Sequence, residues 1–239
     1  MQVLAPVLYV VLLVAAWLST RVPGSPTPLA PTRRPWAVVA AAALVALPSV
    51  LQLTVAPGLL DVLGRRPGEL VDGQVWRLVT SLLVQDGGWP GLVYNLAALV
   101  YVGLVAERVL GPARWWAVWL VGGVGAQFSG LSVQPTGAGN SVGTFELTGA
   151  LAVLALLRGG GLARLAGAVG LLAGVVLLVG GDVHGGAVVL GALAGGVLHL
   201  RGHDHPAGGR RRVAQGSAPT DGQDGDGGHW GPSWSEENP

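Results

Sequence analysis

The sequence contains neither cysteine nor lysine, and both absences limit what the protein can do. Without cysteine there is no disulfide framework, no thiolate nucleophile and no cysteine-ligated metal site. Without lysine, all 14 basic residues are arginines. Charged residues of both signs make up only 11% of the chain, whereas a soluble domain carries about 25%. The chain therefore has too little polar surface to cover itself in water.

Apolar and small residues take the place of the missing charge. Hydrophobic residues make up 51% of the 239 residues, the mean hydropathy is +0.55, and 40 residues are glycine. These values predict an integral membrane protein, with the lipid bilayer as its first partner. Small residues let helix backbones approach each other closely in lipid. The composition, rich in Gly, Ala and Arg, is typical of a high-GC bacterium, so we expect the plasma membrane.

The apolar residues form seven stretches, each about long enough to cross a bilayer. A hydrocarbon core of about 30 Å requires roughly 20 residues of helix. Runs such as residues 36–45 are apolar on every side and lack the alternation of a barrel strand. We therefore predict an all-α integral membrane fold with helices at residues 2–19, 36–56, 90–109, 113–132, 140–157, 162–180 and 183–200.

The first stretch has two interpretations, a cleaved signal peptide or a retained helix. Its short leading segment, Met1-Gln2, carries no positive charge, and arginines follow the stretch instead, which favours a retained helix. The predicted organisation is an extra N-terminal transmembrane helix at 1–20, a Pro-rich linker at 21–35, a six-helix membrane domain at 36–201 and a disordered cytoplasmic tail at 202–239.

Arginine placement predicts the orientation in the membrane. Eleven arginines flank the side that holds the 20–35 linker, and only Arg65, Arg66 and Arg77 lie on the other side. Positive residues favour the cytoplasmic side, so we expect the C-terminus inside and the N-terminus outside. The loops expected outside are 57–75, 132–139 and 180–183.

Two polar residues open apolar stretches at this outer side, Ser141 and His184. Polar groups at membrane depth are costly and usually functional. A serine hydroxyl needs a neighbouring base to act as a nucleophile. Helical spacing puts Ser141, Phe145 and Gly149 on one face, while His184 shares a face with small residues such as Gly191. Packing these faces would bring the hydroxyl and the imidazole together.

Ordinary interpretations compete with this one. An isolated serine in a membrane helix commonly bonds a carbonyl one turn back, and a lone histidine often marks the interface. Residues 139–143 match the Gly-x-Ser-x-Gly elbow of α/β-hydrolases, but that elbow needs a preceding strand, and no parallel-sheet rhythm exists here. His203, His205 and His229 fit no standard metal spacing. No phosphate-binding glycine loop follows a strand, so neither nucleotide nor nucleic acid is predicted as a partner.

Several short segments, taken together, resemble the rhomboid family of intramembrane serine proteases. Their order and spacing agree with the family over about 125 residues, from Trp76 to Leu200. The segments are Trp76-Arg77-Leu78-Val79-Thr80; Asn95; Glu107 to Gly111; Gly139-Asn140-Ser141 with Phe145, Leu147, Gly149 and Ala150; and His184 with Ala187 and Gly191.

The resemblance implies a Ser–His dyad without a third member. Ser141 would attack the scissile carbonyl and His184 would act as base and then acid, with Phe145 packed against the imidazole. The Ser141 backbone N–H and the Asn95 amide would hold the oxyanion. The implied substrates are transmembrane or juxtamembrane segments of membrane proteins, and no cofactor or metal is implied.

The sequence departs from the family pattern at two positions that bear on activity. Gly91 stands where many members carry a histidine that donates to the oxyanion, and Gln85 or water would have to substitute. Glu146 replaces a small residue after the serine, so we expect it to be protonated or turned towards a polar partner; tuning of His184 and a structural or lipid-edge role are the alternatives. A catalytically inactive rhomboid-like protein that binds membrane partners therefore stays open as an interpretation, as does a small transporter or channel subunit.

Overall fold

The computed structural model of the chain describes residues 4–20 and 34–203, and this part of the chain is built from helices. Within it, an isolated β-bridge between Arg65 and Gly137 is the single strand-like pairing. The predicted all-α class is confirmed. The helices are α1 (Leu4–Leu18), α2 (Trp36–Thr54), α3 (Leu59–Leu63), α4 (Pro67–Val71), α5 (Arg77–Thr80), α6 (Gly88–Leu110), α7 (Pro112–Ala117), α8 (Gly123–Ser129), α9 (Ser141–Arg158), α10 (Gly161–Val179) and α11 (Val183–His203).

Five of these helices, α2, α6, α9, α10 and α11, are long and apolar enough to cross a membrane. Each begins and ends within three residues of its predicted stretch. Large apolar residues cover their outer faces, such as Leu47, which is 73% exposed, and Val179, which is 83% exposed. Such faces are stable in lipid and not in water, so the protein is a multi-pass membrane protein.

The helix predicted at residues 113–132 is present but irregular. Its path runs through α7, a π-helical turn at Val118–Gly122, α8 and a short 3-10 turn at Gly130–Ser132. The Glu146 carboxyl group lies where a Cβ atom on Gly122 would sit. Only glycine leaves room for that carboxyl group beside the π turn, and such turns are frequent near functional sites.

Residues with special backbone or capping roles set the ends of α6 and its neighbours. Gly111 has a φ of 73°, which favours glycine, and it ends α6 just before a proline begins α7. Near the same end, the Glu107 carboxylate accepts hydrogen bonds from the N–H groups of Ala37 and Val38 at 3.2 and 3.1 Å. These amides belong to the first turn of α2 and have no partner within that helix. Glu107 thereby ties α6 to the start of α2.

Helix α9 lies in the middle of the bundle, between α11, α10, α6 and α1. Thirteen of its 18 residues are buried. A Cβ on Gly149 would overlap the Val188 carbonyl, and a Cβ on Gly191 would overlap the Glu146 carbonyl. The backbones of α9 and α11 therefore touch directly, which is the small-residue seam that the sequence predicted.

The extra N-terminal helix packs on α10 and α9. Leu12, Ala15 and Ala16 are buried there. As described, α1 has 15 residues, which is shorter than the predicted 2–19. At the other end of the chain, α11 continues to His203, two residues into the predicted tail. Most of the predicted linker and the rest of the predicted tail lie outside the described residues.

Candidate active site

The loop that precedes α9 places Ser141 as the first residue of the helix. Gly139 has a φ of 144°, and its N–H donates to the Ser81 carbonyl at 2.8 Å. A side chain at this position would be strained and would also approach the Asn95 amide to 3.2 Å. Glycine therefore lets the chain turn sharply into α9 while it packs against α6.

The two residues predicted as nucleophile and base are brought together. The His184 Nε2 atom lies 2.8 Å from the Ser141 Oγ atom, within hydrogen-bond distance. The Phe145 ring contacts the imidazole edge-on, with centroids 5.0 Å apart, as the resemblance implied. The His184 side chain is 16% exposed, so the pair is largely shielded from solvent.

The other ring nitrogen of His184 contacts two groups that sequence reasoning missed. The Asp182 Oδ1 atom lies 2.7 Å from Nδ1, and the Tyr9 hydroxyl lies 3.0 Å from it. Tyr9 also donates a hydrogen bond of 2.5 Å to the Asp182 Oδ2 atom. The structure thus surrounds the imidazole with more than the implied two-residue dyad.

Asp182 lies in the connection between α10 and α11, outside the spanning helices. Burial by itself would raise the pKa of this carboxyl group. Hydrogen bonds and electrostatic attraction from His184, with the Tyr9 hydrogen bond, outweigh burial and lower the pKa from 3.8 to about 2. The carboxylate is therefore ionised at neutral pH.

Asn95, on α6, lies beside the turn that leads into α9. Its Nδ2 atom and the Ser141 Oγ atom both lie within 4 Å of the point where a Cβ on Gly139 would sit. The Asn95 amide donates to the Gln85 Oε1 atom at 2.7 Å, and the Gln85 Nε2 atom donates to Asn140 at 3.3 Å. Gln85 is fully buried, so this network fixes the Asn95 amide close to the nucleophile.

The two departures from the family pattern have clear structural settings. A Cβ on Gly91 would meet nothing within 4 Å, so the position lacks a donor but leaves room for one. Glu146 is fully buried, and neither carboxyl oxygen has a hydrogen-bond partner among the described residues. The predicted polar partner and the lipid-edge alternative are therefore wrong. An ionised carboxylate would be costly there, which favours the neutral acid.

Arg65 supports the loop before the nucleophile, a role that sequence reasoning missed. Its guanidinium group donates to the carbonyls of Gln127 and Pro135 at 2.9 and 3.2 Å, and also to the Gln134 carbonyl. Its backbone pairs with Gly137. The arginine is 2% exposed. The sequence indicates only a charge in the 57–75 loop at this position, because nothing in the residues around Arg65 signals burial.

The part of the chain that the structure describes contains no group of three or more His, Asp or Glu side chains arranged for a metal. The histidine group considered from the sequence, which includes His205 and His229, lies outside that part except for the backbone of His203. Its ability to bind a metal stays untested.

A bundle of membrane-spanning helices that encloses a serine and a histidine within hydrogen-bond distance defines the class of protein: a polytopic membrane protein. The family model described as Rhomboid domain matches residues 72–201, more than half of the chain. The chain belongs to the rhomboid family, whose members are intramembrane protease-like proteins. A search of curated proteins finds no match. The matched region contains Asn95, Ser141 and His184 but not Tyr9.

Proposed function

We propose that the protein is an intramembrane serine endopeptidase that cleaves transmembrane or juxtamembrane segments of membrane proteins. The observation that supports this most is the 2.8 Å contact between His184 Nε2 and Ser141 Oγ. A histidine at this distance can take the hydroxyl proton as the nucleophile attacks. Family membership supports the same reaction.

The proposed reaction proceeds through an acyl-enzyme. The Ser141 Oγ atom bonds to the scissile carbonyl carbon while its proton passes to His184 Nε2. The imidazolium then gives this proton to the leaving amine as the C–N bond breaks. A water molecule, deprotonated by His184 in the same way, attacks the acyl carbon, and the ester C–O bond to Ser141 breaks as His184 returns the proton to Oγ and the carboxylic acid product leaves. The neutral imidazole and the free hydroxyl are restored.

The oxyanion is proposed to bind between the Ser141 N–H and the Asn95 amide. The first N–H groups of α9 have no partner within the helix, and the helix N-terminus favours negative charge. Donors fixed in advance where charge develops contribute about 3–4 kcal/mol each. In this proposal Gln85 holds the Asn95 amide in position. It does not replace the histidine donor that many family members carry at the position of Gly91.

The proposed setting is the plasma membrane, with the N-terminus outside and the C-terminus in the cytoplasm. Cleavage would then occur near the outer face, and water would enter beneath the 132–139 loop. Substrates that unwind easily at small or helix-breaking residues would be favoured, because a regular helix hides its carbonyls in hydrogen bonds.

A fluorophosphonate probe tests the proposal, since it reacts with activated serines. We expect labelling of the detergent-solubilised protein that disappears in Ser141→Ala and falls sharply in His184→Ala. The exposed Ser132→Ala variant is the control and should label like the wild type. A folded protein that does not label would favour the inactive, partner-binding interpretation. Transport activity that survives both substitutions would favour a transporter.

A further inference from the structure

The imidazole of His184 has a second polar side, and the groups there come from parts of the chain far from Ser141. Asp182 belongs to the connection before α11, and Tyr9 belongs to α1, outside the matched rhomboid region. The Tyr9 ring packs edge-on against the imidazole, with centroids 4.8 Å apart, and lies tilted against the Phe145 ring, with centroids 5.2 Å apart. Two aromatic rings and one carboxylate thus restrict the plane of His184.

The hydrogen bonds around Nδ1 determine which imidazole tautomer is present. The Tyr9 hydroxyl gives its proton to Asp182, so its oxygen can only accept from the ring. The ionised carboxylate of Asp182 is also an acceptor. Neither neighbour offers a proton to Nδ1, so Nδ1 must carry one itself. In the neutral ring, Nε2 then keeps its lone pair for the Ser141 hydroxyl.

We propose that Asp182 and Tyr9 are positioning residues of the active site, which hold His184 in the tautomer and orientation that make it a base for Ser141. This inference rests on the proposed function. When Ser141 transfers its proton to Nε2, the ring becomes positively charged, and the carboxylate of Asp182 stabilises that charge without taking a proton. The N-terminal helix is therefore a working part of the enzyme and more than an additional membrane anchor.

Asp182 also has a purely structural role that must be separated from this one. Its Oδ1 atom accepts the His184 backbone N–H at 2.9 Å, as an N-cap residue does. Asparagine and serine cap helices as well as aspartate. Asp182→Asn and Asp182→Ser therefore keep the cap and remove the carboxylate, and Asn can also donate to Nδ1 and favour the wrong tautomer.

The test is cleavage kinetics of purified full-length variants on a single-span reporter. We expect Asp182→Asn to lower kcat by roughly 10²–10⁴ with little change in KM, because the lost function concerns the reacting groups and not substrate binding. Tyr9→Phe keeps the ring and removes the hydroxyl, so we expect a loss of about fivefold. The controls are Asp72→Asn, which is exposed, and Tyr101→Phe, which removes a tyrosine hydroxyl from α6; both should retain wild-type kcat.

Two further measurements accompany the kinetics. Thermal unfolding checks that the variants fold, and NMR reports the tautomer of His184 without any need for cleavage activity. Thermal unfolding should be cooperative in Asp182→Ser and Tyr9→Phe, with the Tm of Tyr9→Phe nearly unchanged and that of Asp182→Ser lowered about as much as that of Asp182→Asn, because both Asp182 variants lose the carboxylate and keep the cap. In ¹⁵N-histidine NMR spectra, the His184 signal, identified by its loss in His184→Gln, should show a protonated Nδ1 and an unprotonated Nε2. This pattern should become mixed in Asp182→Asn.

The outcomes are distinguishable. A wild type that cleaves while Asp182→Asn and Tyr9→Phe keep full kcat would overturn this inference and leave the protease intact. A wild type that does not cleave would overturn the proposed function, and the NMR tautomer would then decide the positioning role alone. An unchanged tautomer in Asp182→Asn overturns the inference in either case.

Discussion

At the scale of single residues, the space beside the proposed oxyanion site is open. Gly91 lies one turn before Asn95 on α6, and a side chain there would meet no neighbouring atom within 4 Å. A histidine at this position could supply an additional donor. We expect Gly91→His to raise kcat by roughly tenfold or more.

Gly91→Ala is the matched control, because it removes the glycine without adding a donor. It should leave kcat unchanged and stabilise the helix by about 1 kcal/mol. Steady-state kinetics of both variants on one reporter make the comparison. Equal kcat values for the histidine and alanine variants would show that position 91 does not face the developing charge.

The Asp182 carboxylate gives a pH-dependent contribution to stability. Its pKa is lower in the folded protein, about 2, than the ordinary 3.8. A group with a depressed pKa contributes stability above its unfolded pKa, and this contribution is lost as the pH falls towards the folded value. The excess Tm of the wild type over Asp182→Asn should therefore be constant from pH 7 to about 5 and should shrink between about pH 4 and 2. A difference independent of pH throughout would show that the ionised carboxylate of Asp182 contributes nothing to stability.

Sequence reasoning reached Ser141, His184 and Phe145 because helical spacing and the family pattern both point to them. It missed Tyr9, since the contact with His184 joins residues 175 positions apart and no local pattern encodes it. Asp182 was visible two residues before His184, but an acidic residue before a helix is also an ordinary N-cap. Only the three-dimensional arrangement shows that Asp182 contacts the imidazole as well as capping the helix.

At the scale of helices, the close packing of α9 against α11 sets the distance between the nucleophile and the base. A Cβ on Gly191 would overlap the Glu146 carbonyl, which belongs to the backbone and cannot move aside easily. We expect Gly191→Ala to destabilise the protein by about 1–3 kcal/mol and to lower activity as the helices separate. Thermal unfolding and reporter cleavage measure the two effects.

Gly196→Ala on the same helix is the control, since its Cβ would meet nothing within 4 Å. This variant should be as stable and active as the wild type, or slightly more stable. If the two alanine variants behaved alike, the packing of α9 on α11 would not determine the geometry of the site.

The positions of the spanning helices were largely predictable from the sequence, and their irregularities were not. Long apolar stretches gave five helices to within three residues. The π turn at Val118–Gly122 escaped prediction, because apolar residues continue through it and hydropathy does not report hydrogen-bond register. Glu146 is unusual in the sequence because it places a carboxyl group in an apolar stretch, but the sequence alone could not show that this group turns towards Gly122.

At the scale of the whole molecule, the orientation in the membrane is a prediction from arginine placement. The absence of native cysteine allows a direct test, because any introduced cysteine is the only thiol. Val71 is 87% exposed, and Gly160 has open space around it. In intact cells, a membrane-impermeant maleimide should label Val71→Cys and not Gly160→Cys. Both variants should label after the membrane is opened. The reverse pattern would invert the predicted topology.

The loops at one end of the bundle connect elements that are distant in the sequence. Arg65 joins the 57–75 loop to the segment before Ser141, through hydrogen bonds that no local pattern indicates. Charge counting assigned this arginine to a loop and could not show its burial. The order of short segments was enough to predict the family from the sequence. The positions of the groups around the candidate active site depend on how distant segments pack, which the sequence does not show.

The most direct test of the central claim is cleavage of a tagged single-span membrane protein by the purified enzyme in lipid vesicles. The wild type should release a fragment cut within or beside the span, and Ser141→Ala, folded to the same Tm, should release none. Fragment release by Ser141→Ala at the wild-type rate, or no cleavage by a folded wild type of any reporter with helix-breaking residues in its span, would contradict the account.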